Sequence, residues 1–261
     1  MIICFTGTGN SGRVAGELAT VLGEKTAMLR RDGLTRQPEA DEKRIIWVMP
    51  VHSWGMPKIV RKFIREADIA HADRLKHFLV LTCGDDCGLA HRQWRRDMKR
   101  RNWQAVAAHS VFMPNTYVLL PGFDTDTDTV ASGKMAAMPG RVREIAHAIK
   151  CSSPIDNVYR GKCAWLKTYV IYPLFMRFLT SPRPFHATDA CVGCGRCTAV
   201  CPEKNIVADE SGSPLWGGRC TMCLGCYHVC PRHAVAYGKR TTHKGQWQGS
   251  LTYISGNHRK R

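Results

Sequence analysis

From Met1 to about residue 150, short apolar runs alternate with longer amphipathic stretches, the rhythm of βαβ units that build a parallel sheet. The apolar runs predict strands over 2–6, 27–30, 44–50, 77–82 and 106–113, and the amphipathic stretches predict helices over 11–22, 58–67, 89–102 and 134–150. Segment 31–43 is polar and only weakly periodic, so the crossover between the second and third strands is expected to be a loop in place of a helix.

Beyond this first unit, 1–150, the pattern changes three times. Residues 151–184 form a partly helical connector that contains AWLKTYVIYPLFMRFLT, an aromatic-rich apolar stretch broken by Lys167, Pro173 and Arg177. It is too short and too charged to span a bilayer. Two readings stay open for it: a kinked helix packed against the flanking domains, and a helix lying in a membrane interface. Residues 185–240 are rich in cysteine, and 241–261 form a basic, glycine-bearing tail expected to be partly unordered.

Eight of the thirteen cysteines fall between Cys191 and Cys230, while Cys4, Cys83, Cys87, Cys151 and Cys163 are scattered. That is clustering for metal, not a disulfide framework. The runs CVGCGRCTAVCP and CTMCLGCYHVCP each offer three thiolates at two-residue intervals and a fourth before proline. Thiolates are the soft ligands an iron–sulfide cube requires, and Gly193, Gly195 and Gly225 permit close backbone approach. In two-cluster ferredoxins of this spacing the fourth cysteine serves the other cluster. Cys191, Cys194, Cys197 and Cys230 are therefore assigned to one 4Fe-4S cluster, and Cys220, Cys223, Cys226 and Cys201 to the second. The competing chemistry, a pair of zinc knots, usually uses two separated C-x2-C pairs.

Charge narrows the partners. The formal net charge is +17, a field that favours acidic proteins, anionic membrane or nucleic acid. With no RRM-like aromatic motif and no His-x3-5-His pair, nucleic acid is disfavoured. The N-terminus runs apolar residues straight into a glycine loop with no basic n-region or cleavage site, which implies a cytoplasmic, reducing location.

The glycine loop is FTGTGNS, Phe5 to Ser11, at the expected junction of the first strand and first helix. Free amides, the helix dipole and three hydroxyls make it an anion site. No Gly-Lys-Ser/Thr follows, and hydroxyls stand where a pyrophosphate needs bare backbone, so a single terminal phosphate fits better than a nucleotide triphosphate or dinucleotide.

With this loop, PVHSWGMP from Pro50, TCGDDCG from Thr82, MPNTYVLLPGFD from Met113 and the paired cysteine runs, the chain resembles the EFR1-type flavodoxin–ferredoxin fusions. The resemblance implies an α/β fold: a flavodoxin-like doubly wound parallel sheet of order 2-1-3-4-5, followed by a small α+β two-cluster ferredoxin-like domain. It also implies FMN at the carboxyl edge of that sheet. Thr6, Thr8, Gly9, Asn10 and Ser11 would hold the phosphate. Trp54 would stack on the ring, Gly55 would let a neighbouring peptide flip to favour one-electron transfer, and Thr82, Cys83 and Gly84 would begin the second wall. Asp85 and Asp86 would either lower the flavin potential or form an exposed turn.

The second wall shows no aromatic residue, and Arg13 is read as either a phosphate partner or a solvated side chain. Cys83 and Cys87 are read as packing residues, His228 as solvent-facing, and Tyr227 and Phe185 as core of the small module. The function that follows is electron transport: single electrons relayed between two clusters, FMN and a redox partner with an acidic docking surface, in an oxidoreductase component of anaerobic metabolism more than a stand-alone enzyme. The alternative is a flavin-dependent reductase of a small-molecule acceptor; peripheral membrane contact is compatible with either.

Overall fold

The computed structural model describes residues 1–254; the end of the basic tail, 255–261, lies outside the described residues. The first unit is a doubly wound sheet. Its parallel strands are β1 (Ile2–Cys4), β2 (Thr26–Arg30), β4 (Arg44–Pro50), β5 (Lys76–Cys83) and β6 (Gln104–Phe112), and a two-residue strand β3 (Gly33–Leu34) pairs antiparallel with β2 at the edge. The order is β3-β2-β1-β4-β5-β6. Without the edge strand this is the expected 2-1-3-4-5. Segment 31–43 contains that edge strand and no helix, in keeping with its lack of periodicity.

The central strands read as unbroken apolar runs because both sheet faces are covered. Helices α2 (Lys58–Glu66) and α3 (Ala90–Arg100) cover one face, and α1 (Asn10–Leu22) and α4 (Asp128–Lys150) the other. Helix α1 buries Val14, Ala15 and Leu18 and stops at Gly23, whose left-handed conformation (φ 69°) returns its N–H to the Ala19 carbonyl. Helix α4 begins six residues before the predicted start because Ala131 already lies in phase with the buried stripe Met138, Val142, Ile145 and Ile149.

The connector forms α5 (Ala164–Leu166), a π-helical turn (Lys167–Ile171) and α6 (Tyr172–Phe178), continuous with one another. The small module has two antiparallel pairs, β7 (Phe185–Ala187) with β10 (Val235–Tyr237) and β8 (Ile206–Ala208) with β9 (Pro214–Trp216). Two five-residue helices, α7 (Arg196–Val200) and α8 (Gly225–Val229), pack against each other. Phe185, Tyr227, Val235 and Tyr237 make its core together with Val118 and Leu119 of the first unit.

The described part of the tail, residues 241–254, is held against the first unit and the cysteine module. The Tyr227 hydroxyl donates to the Lys244 carbonyl (2.9 Å), the Gly245 N–H donates to Asp124 (2.9 Å), and the Trp247 indole donates to Asn10 Oδ1 (2.8 Å). Ser250 then lies so close to Gly9 that a Cβ there would collide with its carbonyl. The tail is thus a strap over the start of α1. Among the described residues no helix is long and apolar enough to cross a membrane.

Candidate functional site

Each cysteine run wraps through two left-handed residues before entering its short helix. In the first run these are Gly193 and Gly195 (φ 64° and 68°); at the equivalent positions of the second they are Met222 and Leu224 (φ 54° and 59°). A non-glycine residue in that region carries about 1–2 kcal/mol of strain. Here the strain accompanies side chains that the interface uses, for Met222 and Leu224 are buried against the first unit.

The wrapping brings Cys191, Cys194, Cys197 and Cys230 around one cavity and Cys201, Cys220, Cys223 and Cys226 around another. The crossing is a consequence of α7 and α8 packing together: each helix carries its fourth cysteine across to the other half. Among the described residues no group of three ligating side chains converges as a single metal ion requires. The thiols instead surround a space, as a cube with its own sulfides demands. Backbone amides of Asn205, Met222 and Ala234 donate to Cys201, Cys220 and Cys230 Sγ at 3.2–3.3 Å.

Desolvation pushes the thiol pKa of Cys220 up to about 11, that of Cys226 up to about 12 and that of Cys223 well above its usual value. Thiolates in such surroundings need a compensating cation. The Trp216 indole N–H is buried without a hydrogen-bond partner among the described residues, yet lies near enough to Cys226 to draw that thiol's pKa down against the effect of burial.

The second cysteine run sits directly on the glycine loop. A Cβ on Gly7 would fall 2.5 Å from the Cys223 carbonyl oxygen, and one on Gly225 would fall 2.6 Å from the Gly7 carbonyl oxygen. Backbone meets backbone there, with glycine on both sides. Next to the contact is a cavity of about 110 Å³ at the carboxyl ends of β1, β4, β5 and β6, the topological switch point where doubly wound sheets bind ligands.

Thr6, Thr8, Asn10 and Ser11 line one end of this cavity, and Thr82, Cys83 and Gly84 line a side. Gly9, at φ 91°, caps α1. The first-turn amides of a helix have no intrahelical partners, so this end presents amides together with the Thr6 and Thr8 hydroxyls. Three of the expected phosphate ligands are otherwise engaged: the Ser11 hydroxyl pairs with Thr82 Oγ1 (2.7 Å), the Asn10 amide donates to the Pro114 carbonyl (2.8 Å), and the Gly9 N–H donates to Thr6 Oγ1 (3.0 Å). The donor set fits a phosphate. The volume is below the roughly 300 Å³ of a small ligand pocket, so a larger ring system would need the side chains at the other end to yield.

Trp54 and Gly55, expected to stack on and to face the ring, are not among the residues lining the cavity, whereas their neighbours His52 and Ser53 are. The Lys167 ammonium sits 5.1 Å from the Trp54 ring centre, and the Thr168 hydroxyl donates to the Trp54 carbonyl (2.8 Å). The Gly55 carbonyl accepts from the His52 N–H (2.9 Å), and the Tyr172 ring fills the space a side chain at Gly55 would need. Both carbonyls flanking Gly55's peptide nitrogen and carbon are occupied, so no free peptide remains there to flip. The cause is the connector helix, which packs Thr168 and Tyr172 onto this loop.

The connector and the 113–117 loop supply the missing aromatics, since Phe175 and Tyr117 line the cavity and meet edge to face (5.9 Å between centres). Tyr117 lies in the MPNTYVLLPGFD stretch that carries the resemblance, though the sequence did not single it out; nothing local to Phe175 marks it. Asp86 pairs with Lys167 (2.5 Å) and so anchors the connector, while Asp85 is exposed. Arg13 points to the tail strap, 5.7 Å over the Tyr253 ring. Cys83 and Cys87 are both buried.

His228 is buried, not solvent-facing. It accepts the Trp247 N–H at Nδ1 (3.0 Å), which leaves Nε2 to donate to the Thr116 carbonyl (2.8 Å). Burial lowers its pKa to about 4 and holds it neutral. The helix of the second cluster is thereby tied to the cavity loop and to the strap.

Residues 185–235 match the family model of the 4Fe-4S dicluster domain. Over 55 residues the chain is 36% identical to a ferredoxin of Pyrobaculum islandicum, covering 21% of this chain and 51% of that protein. Over 54 residues it is 37% identical to the pyruvate synthase subunit PorD of Methanocaldococcus jannaschii, covering 20% of this chain and 63% of that one. The chain thus spans about half to three fifths of the curated relatives it matches. Among solved structures, a Streptococcus pneumonia TIGR4 flavodoxin is similar at 11% identity and TM-score 0.38, over 57% of this chain and 96% of that one. The Trp repressor binding protein of Bacillus subtilis is similar at 11% identity and TM-score 0.36, over 54% and 97%.

By strand order and by its cysteine module, the class is an α/β domain with flavodoxin-like topology joined to a two-cluster iron–sulfur domain. The chain thus joins a doubly wound α/β unit to a C-terminal module that matches the 4Fe-4S dicluster domain.

Proposed function

We propose that this protein relays single electrons between a redox partner, its two 4Fe-4S clusters and FMN held at the switch-point cavity. The observation that carries the reading is that Cys223, a ligand of the second cluster, lines the same cavity as Thr6, Thr8 and Ser11. The clusters and the flavin would supply the one-electron chemistry; the chain supplies order and insulation. The cluster of Cys220 faces the flavin cavity. That of Cys191 faces outward, with Cys194 exposed, Val192 63% exposed, and Arg196 and Arg232 on the rim. An acidic partner would therefore meet the first cluster, with the second as the inner station.

Thr6, Thr8 and the α1 amides would hold the phosphate, and Met222, Leu224, Tyr117 and Phe175 would exclude water from the ring end. That enclosure favours the relay over a reductase, which needs room for an acceptor beside the flavin. The test is anaerobic reconstitution with iron, sulfide and FMN. About eight irons and one flavin per chain, with cluster reduction followed by flavin reduction in stopped flow, is the expected result. Failure to bind FMN, or steady turnover of small acceptors without a partner protein, would overturn the reading.

A further inference from the structure

We propose that the outer face of the connector helix docks the protein onto an anionic lipid bilayer. The inference stands on that helix alone and does not depend on the redox reading. Its inner face, Thr168, Tyr172 and Phe175, is buried on the first unit, and the Tyr172 hydroxyl donates to the Met56 carbonyl (2.7 Å). The opposite face carries Trp165 (64% exposed), Leu166 (47%), Val170, Ile171, Leu174 (52%) and Phe178 (65%). Single exposed apolar residues are ordinary, but a contiguous run of six on one helix marks a binding surface. The π-helical turn, Lys167–Ile171, has a wider repeat that suits the five-residue spacings of Trp165 to Val170 and Leu166 to Ile171, and α-helical spacing resumes at Leu174 and Phe178.

The charge around this face selects the occupant. Between residues 157 and 188 there is no Asp or Glu and there are five cations. Lys167 is taken by Asp86; Arg160 and Lys162 stand exposed at one end of the helix and Arg177 and Arg183 at the other. Exposed Lys239 and Arg240 join the second end, because Gly238 donates to the Pro184 carbonyl (2.9 Å) and Tyr237 to that of Ser181 (2.8 Å).

An apolar, aromatic helix face with cations at both ends is the arrangement of a helix lying in the headgroup region of an anionic leaflet. A second copy of this chain fits poorly, since a two-fold contact through this face sets the same cationic rims against each other.

The full chain, loaded with clusters under anaerobic conditions, is tested by flotation with phosphatidylcholine vesicles, with and without about one third phosphatidylglycerol, in about 0.1 M salt. Binding at least about tenfold stronger to the anionic vesicles is expected. Trp165→Ser with Phe178→Ser should weaken it about tenfold or more while iron content and melting temperature stay unchanged. Arg177→Glu with Arg183→Glu, which leaves the apolar face intact, should weaken it by a similar factor.

Equal binding to both vesicle types, or undiminished binding by the Trp165/Phe178 variant, overturns the proposal. So does a stable dimer in sedimentation that the same variant converts to monomer, because the face then serves self-association.

Discussion

The contact between Gly7 and Cys223 allows a sharp prediction, because the hydroxyls of the glycine loop can be left untouched while its seam to the second cysteine run is opened. In Gly7→Ala the new Cβ falls 2.5 Å from the Cys223 carbonyl oxygen and 2.6 Å from Cys223 Cβ, against ordinary contact beginning near 3.4 Å. Neither neighbour is the end of a flexible side chain, so the cluster module has to withdraw by about 0.9 Å. Overpacking of this kind costs about 1–3 kcal/mol, or roughly 2–4 °C of melting temperature per kcal/mol in a chain of this size.

Thr6 and Thr8 remain, so FMN should still bind, whereas the rate of cluster-to-flavin transfer after photoreduction should fall. Gly133→Ala is the control. It lies in α4 with nothing within 4 Å, and should leave the transfer rate unchanged and the stability unchanged or raised by up to about 1 kcal/mol. A Gly7→Ala protein with the melting temperature and transfer rate of the unaltered chain would refute the seam as described.

Three further outcomes follow from the geometry. Cys201→Ser should deplete the cluster facing the switch-point cavity, and Cys230→Ser the outward one, each lowering iron content by up to about four atoms with different EPR losses; loss of the same signal from both would contradict the crossed ligation. Trp216→Phe removes the indole N–H beside Cys226 and should lower the potential of that cluster by about 40 mV, the equivalent of one hydrogen bond of about 1 kcal/mol; an unchanged midpoint in a redox titration would show that the N–H does not act on the cluster.

His77 accepts the Trp47 indole N–H (3.0 Å), donates to the Ala72 carbonyl (2.8 Å), and has its pKa lowered by burial from 6.5 to about 4. As pH falls the unfolded chain takes up this proton first, so the histidine's contribution is intact above about pH 6.5 and is lost progressively toward pH 4. Urea midpoints that decline over this range, less steeply in His77→Gln, are expected; equal slopes would remove His77 as a cause.

Local chemistry was legible along the chain where one stretch of residues does the work. Three cysteines at two-residue spacing chelate from a single loop, alternating apolar runs with amphipathic stretches specify strands and helices, and a glycine–hydroxyl loop before a helix specifies an anion site. Each depends on neighbours within one turn or one loop, so the order of residues states it. The edge strand β3 and the early start of α4 are marginal cases, where short segments are recruited by the sheet edge and by a buried stripe.

The enclosure of the site was decided by tertiary structure. Trp54 leaves the cavity because Thr168 and Lys167, more than a hundred residues away, take its carbonyl and its ring face. Phe175 enters because the same helix buries that side, and His228 becomes a buried clamp because Thr116 and Trp247 converge on its two nitrogens. The tail becomes a strap because Trp247 and Ser250 find Asn10 and Gly9. Periodicity along a segment tells which of its faces is apolar. Which distant segment covers that face, and which face stays open, is set only when the separately encoded pieces pack together.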